Sequence, residues 1–149
     1  MNKINYSIET EKIIHHNKRE QMMPSLLLHA CCAPCSSACL EYLHQHFDIT
    51  IFYYNPNISP QAEFDKRLDE EKRLTAEMLP DKNIQVIEGS YNYNDFLETV
   101  KGLETAPEGG ERCFKCYRLR LEKTAELAKE MNFDYFCTTL SISLSLIHI

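Results

Sequence analysis

The chain has 149 residues, 44% hydrophobic and 26% charged, with 16 basic against 22 acidic side chains and a net charge of −6. That length suits one domain with a real core, and that balance excludes a chain-wide electrostatic glove for nucleic acid. No apolar run approaches the about 18 residues of a membrane span. The opening MNKINYSIETEKIIHHNKREQMM lacks the apolar segment of a secretory signal, so the chain reads as cytoplasmic. Residues 1–23 read as a polar leader, partly helical. Pro24 to Ala30, PSLLLHA, is a short apolar run after a proline and predicts a buried strand. A helix follows over about Pro34–Phe47, with Ala38, Leu40 or Tyr42, and Leu43 on its apolar side. The β-branched and aromatic DITIFYY, Asp48 to Tyr54, predicts a second strand.

NPNISPQ breaks that strand. Ser59 is the expected N-cap and Pro60 the first residue of a helix that runs to about Leu79. Phe64, Leu68 and Met78 share its buried side, while Glu63 with Arg67 and Asp69 with Arg73 are i,i+4 pairs on its wet face. IQVIEG, Ile84 to Gly89, predicts a third strand, and Asn94–Lys101 a short helix. After the loop ETAPEGGER a long helix starts near Cys113 or Phe114 and ends near Met131, and DYFCTTL, Asp134 to Leu140, predicts a fourth strand. Strands alternating with helices define an α/β fold with a mainly parallel sheet and helices on both faces. The closing SISLSLIHI carries no helix to cover the sheet, so the fold reads as incomplete at the C-terminus.

Open α/β sheets bind ligands at the carboxyl ends of their strands. There, after the first strand, stands HACCAPCSSAC, with four of the seven cysteines. Only four glycines occur in the chain and none forms a GxGxxG or Walker A loop, so thiols occupy the place of a phosphate loop. Cys32 and Cys35 form one CxxC beside Cys31, and Cys113 and Cys116 form a second at another helix start. The helix N-terminus is expected to favour thiolate at Cys35. The spacing leaves three uses open: structural zinc, an iron–sulfur cluster, and thiol–disulfide exchange. Cys39 and Cys137 read as core packing. His29 reads as a satisfied core histidine or as a support behind the thiols, and the other histidines as surface. From Glu111 to Lys123 five cations (Arg112, Lys115, Arg118, Arg120, Lys123) face two anions, a local +3. That run fits a solvated helix face or a polyanion site beside the thiols. YYNPN, Tyr53 to Asn57, fits a turn or a set of amide and phenol groups (Tyr54, Asn55, Asn57) facing the same pocket.

Taken together, LLLHACCAPCS, FYYNPNISPQAEFDKRLDEEKRL, EGSYN, GLETAPEGGERCFKCYRLRLEKTAELAKE and FDYFCTTLSIS closely resemble the cobalamin-independent epoxyqueuosine reductases, the QueH family. The resemblance implies a Rossmann-like (HUP-type) domain over 24–143. It implies reduction of epoxyqueuosine to queuosine at the wobble position of tRNA, the last step of queuosine synthesis. It implies a 4Fe–4S cluster with an additional iron ion, the anticodon loop as partner, and an electron donor that the residues do not identify. By position, Cys31, Cys32, Cys35, Cys113 and Cys116 are the implied metal and cluster ligands, and Tyr54, Asn55, Asn57, Tyr117 and Arg118 match motifs near the substrate. Leu144 stands where the family usually has proline, so 144–149 reads as a non-native or frameshifted tail. The rival to the enzyme is a zinc-stabilised, non-catalytic RNA-binding module. A nucleotide-activating tRNA-thiolation enzyme is disfavoured, because no SGGxDS-type loop follows the first strand.

Overall fold

The computed structural model describes residues 3–142, so the expected tail at 144–149 lies outside the described residues. Four strands, β1 (Ser25–His29), β2 (Asp48–Tyr53), β3 (Val86–Glu88) and β4 (Tyr135–Thr138), form one sheet in the order β3-β2-β1-β4. Every pairing is parallel, with Leu28 opposite Ile51, Phe52 opposite Ile87 and Leu28 opposite Cys137. The helices are α1 (Tyr6–Arg19), α2 (Ala33–Leu43), α3 (Gln61–Met78), α4 (Tyr93–Thr99) and α5 (Glu111–Glu130), and a 3-10 turn (Thr139–Ile142) follows β4.

The sheet is all-parallel because helical crossovers cover both of its faces. That is why SLLLH is continuously apolar rather than alternating. On one face Leu26, Leu28, Ile49 and Ile51 pack with Ile14 of α1, Leu40 of α2, and Met78 on α3. On the other, Leu27, Phe52 and Tyr54 meet Ala128 and Leu127 of α5. Leu27, Leu28 and Leu40 have no exposed surface, and each contributes roughly 1.5–3 kcal/mol by burial.

Asn5 caps α1 by accepting from the Ser7 and Ile8 amides, and the helix buries Ile14 and Asn17. The N-cap of α3 is Pro60 rather than Ser59, and no side chain caps it. Glu63 pairs with Arg67 at 2.8 Å as expected, but Arg73 turns to Glu77 (3.8 Å) and not to Asp69. α5 begins at Glu111, about a half-turn earlier than its sequence indicates, behind Gly109 at φ 79, where a side chain would be strained. The buried stripe of α5 is Cys116, Arg120, Thr124 and Ala128, at a spacing of four. It is helical in period but poor in large apolar groups, so its inward face was hard to read as core.

Candidate metal centre and adjoining cavity

The chain lays down β1, β2 and β3 in one direction and then returns to place β4 on the other side of β1. Strand order reverses between β1 and β4, and the crevice at such a point, beyond the strands' carboxyl ends, is where open α/β sheets bind ligands. The cysteine loop lies there. Ala30 donates its amide to the Phe52 carbonyl (3.1 Å). Cys31 donates its amide to Thr139 Oγ1 (3.2 Å), and that hydroxyl donates to Cys31 Sγ (3.3 Å). His29 anchors the loop from below, with Nδ1 3.0 Å from Thr138 Oγ1 and Nε2 2.9 Å from the Tyr54 carbonyl oxygen.

Cys32 is the N-cap of α2 and Cys35 lies in its first turn. The thiols of Cys31, Cys32 and Cys35 lie within 4.8 Å of one another, and the Cys31 and Cys32 sulfurs are 3.8 Å apart. All seven cysteines are free thiols. Burial pushes the Cys31 thiol up, with the Thr139 hydroxyl opposing it. Cys35 is pushed up to about 12, first by burial and then by the Cys32 and Cys31 thiols. Burial and two neighbouring thiols thus oppose the thiolate that the helix N-terminus favours at Cys35.

Three thiols gathered this way fit a metal. A tetrahedral ion with metal–sulfur bonds of about 2.3 Å holds its sulfurs roughly 3.8 Å apart. An all-sulfur donor set selects zinc, iron or an iron–sulfur cluster over magnesium or calcium. Binding would displace the thiol protons.

Cys113 and Cys116 sit in the first turns of α5 and do not join that triad within 4.8 Å. Cys113 Sγ accepts from the Gly109 amide (3.3 Å). The buried Cys116 thiol is pushed up by desolvation, against the pull of Arg120. Both line a cavity of about 250 Å³ with Asn57, Phe96, Arg112, Tyr117 and Arg120. Asn57 Oδ1 is buried there without a hydrogen-bond partner.

Arg120 links the two cysteine groups. It is 5% exposed, donates to Asn55 Oδ1 (3.2 Å) and to the Cys116 carbonyl (3.4 Å), and lies 5.2 Å from the centre of the Tyr117 ring. Asn55 in turn donates to the Ala30 carbonyl (2.9 Å), so the cation on α5 is tied to the cysteine loop. Its field favours the thiolate of both Cys31 and Cys116.

Of the residues singled out in the sequence, Cys31, Cys32 and Cys35 come together, and Cys113, Cys116, Asn57 and Tyr117 share the cavity. Tyr54 is buried against α5, stacked on Phe52 with centroids 5.8 Å apart. Asn55 uses both ends of its amide inside the protein. Arg118 lies on the exposed side of α5, paired with Glu122 at 2.7 Å. The basic run therefore divides: Arg112 and Arg120 face the cavity, whereas Arg118 and Lys123 hold surface carboxylates. Cys39 and Cys137 are half-buried in the core. Thr139 and the linking role of Arg120 were missed; the only signal was that Arg120 follows Cys116 by one helical turn.

The fold and site define a Rossmann-like α/β domain with three thiols placed to hold a metal ion at its topological switch point. The family model described as epoxyqueuosine reductase QueH matches residues 26–146, and the chain belongs to that family. The epoxyqueuosine reductase QueH of Streptococcus pyogenes serotype M1 is 41% identical over 143 residues, covering 95% of this chain and 56% of that protein. Its counterpart from Staphylococcus epidermidis is 39% identical over 145 residues, covering 95% of this chain and 61% of that protein. The Helicobacter pylori counterpart is 41% identical over 121 residues, covering 79% of this chain and 32% of that protein. The chain spans little more than half the length of the first two of these relatives.

Proposed function

We propose that this chain is the thiol-bearing part of a cytoplasmic tRNA epoxyqueuosine reductase, which removes the epoxide oxygen at the wobble position and leaves the alkene of queuosine. The observation that carries this reading is the convergence of Cys31, Cys32 and Cys35 at the switch point of a QueH-family chain. Those three thiols, with Cys113 and Cys116, would hold a 4Fe–4S cluster and an additional iron ion. Bound there, such a group supplies electrons one at a time, which side chains do not. The cavity beside it suits a base taken from a single-stranded loop. Tyr117 offers a stacking face, Asn57 Oδ1 an unused acceptor, and Arg112 and Arg120 positive charge. The partner is the anticodon loop of a tRNA, and the electrons come from a low-potential one-electron donor.

The test is anaerobic reconstitution followed by iron and sulfide analysis and mass spectrometry of tRNA carrying epoxyqueuosine. Conversion to queuosine under a strong reductant is expected. Unchanged tRNA at full cluster occupancy overturns the proposal. The 3.8 Å separation of the Cys31 and Cys32 sulfurs also favours a second reading, a zinc-stabilised RNA-binding module. Zinc without iron or sulfide in anaerobically purified protein decides for it.

A further inference from the structure

The cavity beside the thiols is lined by two arginines in unlike settings. Its volume of about 250 Å³ is small for a ligand site. Cys113, Cys116, Tyr117 and Arg120 stand at i, i+3, i+4 and i+7 on α5 and share one face of that helix. Cys116 and Arg120 are buried, whereas Arg112 and Tyr117 are half-buried. Arg112 Nη1 donates to the Glu104 carbonyl oxygen (3.0 Å) in the exposed loop before α5. Arg120 therefore lies deep in the wall, and Arg112 nearer the mouth.

The guanidinium of Arg120 is held in place from three sides. Nε donates to the Cys116 carbonyl oxygen, Nη1 donates to Asn55 Oδ1, and the Tyr117 ring lies against it. These two bonds use two of its five N–H groups, and Nη2 takes part in neither. Among the described ion pairs no carboxylate reaches it. A desolvated cation with spare donors, fixed before any ligand arrives, acts most strongly where negative charge develops during a reaction. A neutral group that merely binds gains the same from it before and during the reaction, so the rate does not change. Cys113 and Cys116, which the reductase reading makes ligands of the redox group, line the same small space. An oxygen that reacts beside those thiols thus reacts in the cavity that Arg120 lines.

We infer that Arg120 holds the departing oxygen of the epoxide as it becomes an alkoxide, while Arg112 at the mouth meets the tRNA backbone. This inference rests on the reductase reading. Both electrons come from the one-electron donor. The first breaks one C–O bond and leaves an alkoxide on the neighbouring carbon. The second, with two protons from water, breaks the other C–O bond, closes the C=C bond and releases the oxygen as water. Arg120 keeps its protons throughout, since a guanidinium does not ionise in proteins. It holds the alkoxide by charge-assisted N–H donation until the protons arrive.

The test compares reconstituted wild type, Arg120→Ala, Arg120→Lys and Arg112→Ala at equal iron and sulfide. Arg120→Ala is expected to lose about 100-fold or more in kcat, with KM for the tRNA changed by less than about twofold. Its affinity for tRNA carrying queuosine, which has no epoxide oxygen, should match wild type, because the lost contact forms only as the oxygen leaves. Added guanidinium at millimolar concentration should restore part of its rate. Arg120→Lys, which keeps the charge without the planar fork, is expected to fall between the two, and it carries the test where the alanine variant takes up no iron. Arg112→Ala should instead raise KM and lower the salt slope of tRNA binding by about one, with kcat kept. An unchanged kcat in both Arg120 variants, a rate loss matched by lost affinity for the queuosine tRNA or by lost iron, or a loss that guanidinium leaves untouched overturns the inference. Each of these leaves the reductase reading intact. Fully loaded wild type that leaves the epoxide unreacted overturns that reading instead, and the Arg120 role with it.

Discussion

Acidification tests how the cysteine loop is anchored. His29 ends β1 with no exposed surface. Its Nε2 lies 2.9 Å from a carbonyl oxygen, so Nε2 carries the proton and donates to Tyr54. Nδ1 then accepts from the Thr138 hydroxyl at 3.0 Å. One neutral ring thus ties together the ends of β1, β2 and β4 beneath Cys31. Burial, with a smaller push from Arg120 and against the Tyr54 bond, lowers its pKa from 6.5 to about 4. The folded-state value is depressed, so the contribution is complete above pH 6.5 and is lost as pH falls to about 4. A gap of about 2.5 pH units at roughly 1.4 kcal/mol each amounts to about 3.5 kcal/mol once the ring is fully protonated, of which about 3 kcal/mol is lost by pH 4. The assay is urea unfolding of metal-free wild type and His29→Gln at pH 7 and pH 4. The Gln amide keeps a donor for the Tyr54 carbonyl and does not titrate. Glu63 and Glu104, whose carboxyls are held low by Arg67 and by backbone amides respectively, weaken both proteins alike on acidification. The stability gap between wild type and variant is expected to shrink by about 3 kcal/mol between the two pH values. An unchanged gap refutes the neutral, buried imidazole.

Metal uptake by the triad should steepen with pH, by about tenfold per pH unit for each thiol proton displaced. Cobalt titration against a chromophoric chelator measures this, and a pH-independent affinity contradicts neutral thiols at Cys31 and Cys35. Cys35 and Cys137 are both raised from 9.0 to about 12, so under reductant the metal-free protein should hold their contribution below pH 9 and lose it as pH rises toward 12. Gly89→Ala should destabilise by about 1–3 kcal/mol in chemical denaturation, because a Cβ there would lie 2.8 Å from the Tyr54 Cβ and Cδ2. Thr139→Val removes the partner of both the Cys31 amide and its sulfur. It should cost about 1–3 kcal/mol and weaken cobalt binding in the same titration.

The order of strands and helices was legible because buried parallel strands are short apolar runs between polar, amphipathic helices. Cys31, Cys32 and Cys35 were legible as a set because they crowd into the short loop between β1 and the first turn of α2. What the sequence concealed depends on distant partners. Arg120 finds Asn55 from 65 positions away, and Thr139 finds Cys31 from 108. Nothing in the run Glu111–Lys123 distinguishes a buried arginine from its exposed neighbours except phase. Cys116, Arg120, Thr124 and Ala128 share one stripe, but its small and polar members do not stand out as core. Glu71 was hidden for the same reason: in DEEKRL it looks like one more solvated acid, yet its phase with Phe64 and Leu68 places it inside. Ser59 misled in the opposite way, as a good capping residue one position ahead of the true cap.

The polar groups of the site make better physical sense as a charged assembly than as separate residues. Arg120 is a buried cation whose partners are neutral, an amide oxygen, a carbonyl and an aromatic face. Among the described ion pairs none involves it. A buried charge so placed is poorly compensated. The thiols it acts on have the complementary problem, since burial keeps Cys31 and Cys116 neutral against its pull. A metal on the triad would resolve the conflict at Cys31, because ligation removes the thiol protons, and three thiolates around a divalent ion leave net negative charge near the guanidinium. Arg120 therefore favours the metal-loaded state over the empty one. Asn55 bonds both Arg120 and the Ala30 carbonyl, so the Cys31 loop is connected to α5 through that pair. The thiol triad and the cavity wall that carries Cys113, Cys116 and Tyr117 are thereby joined through Asn55 and Arg120.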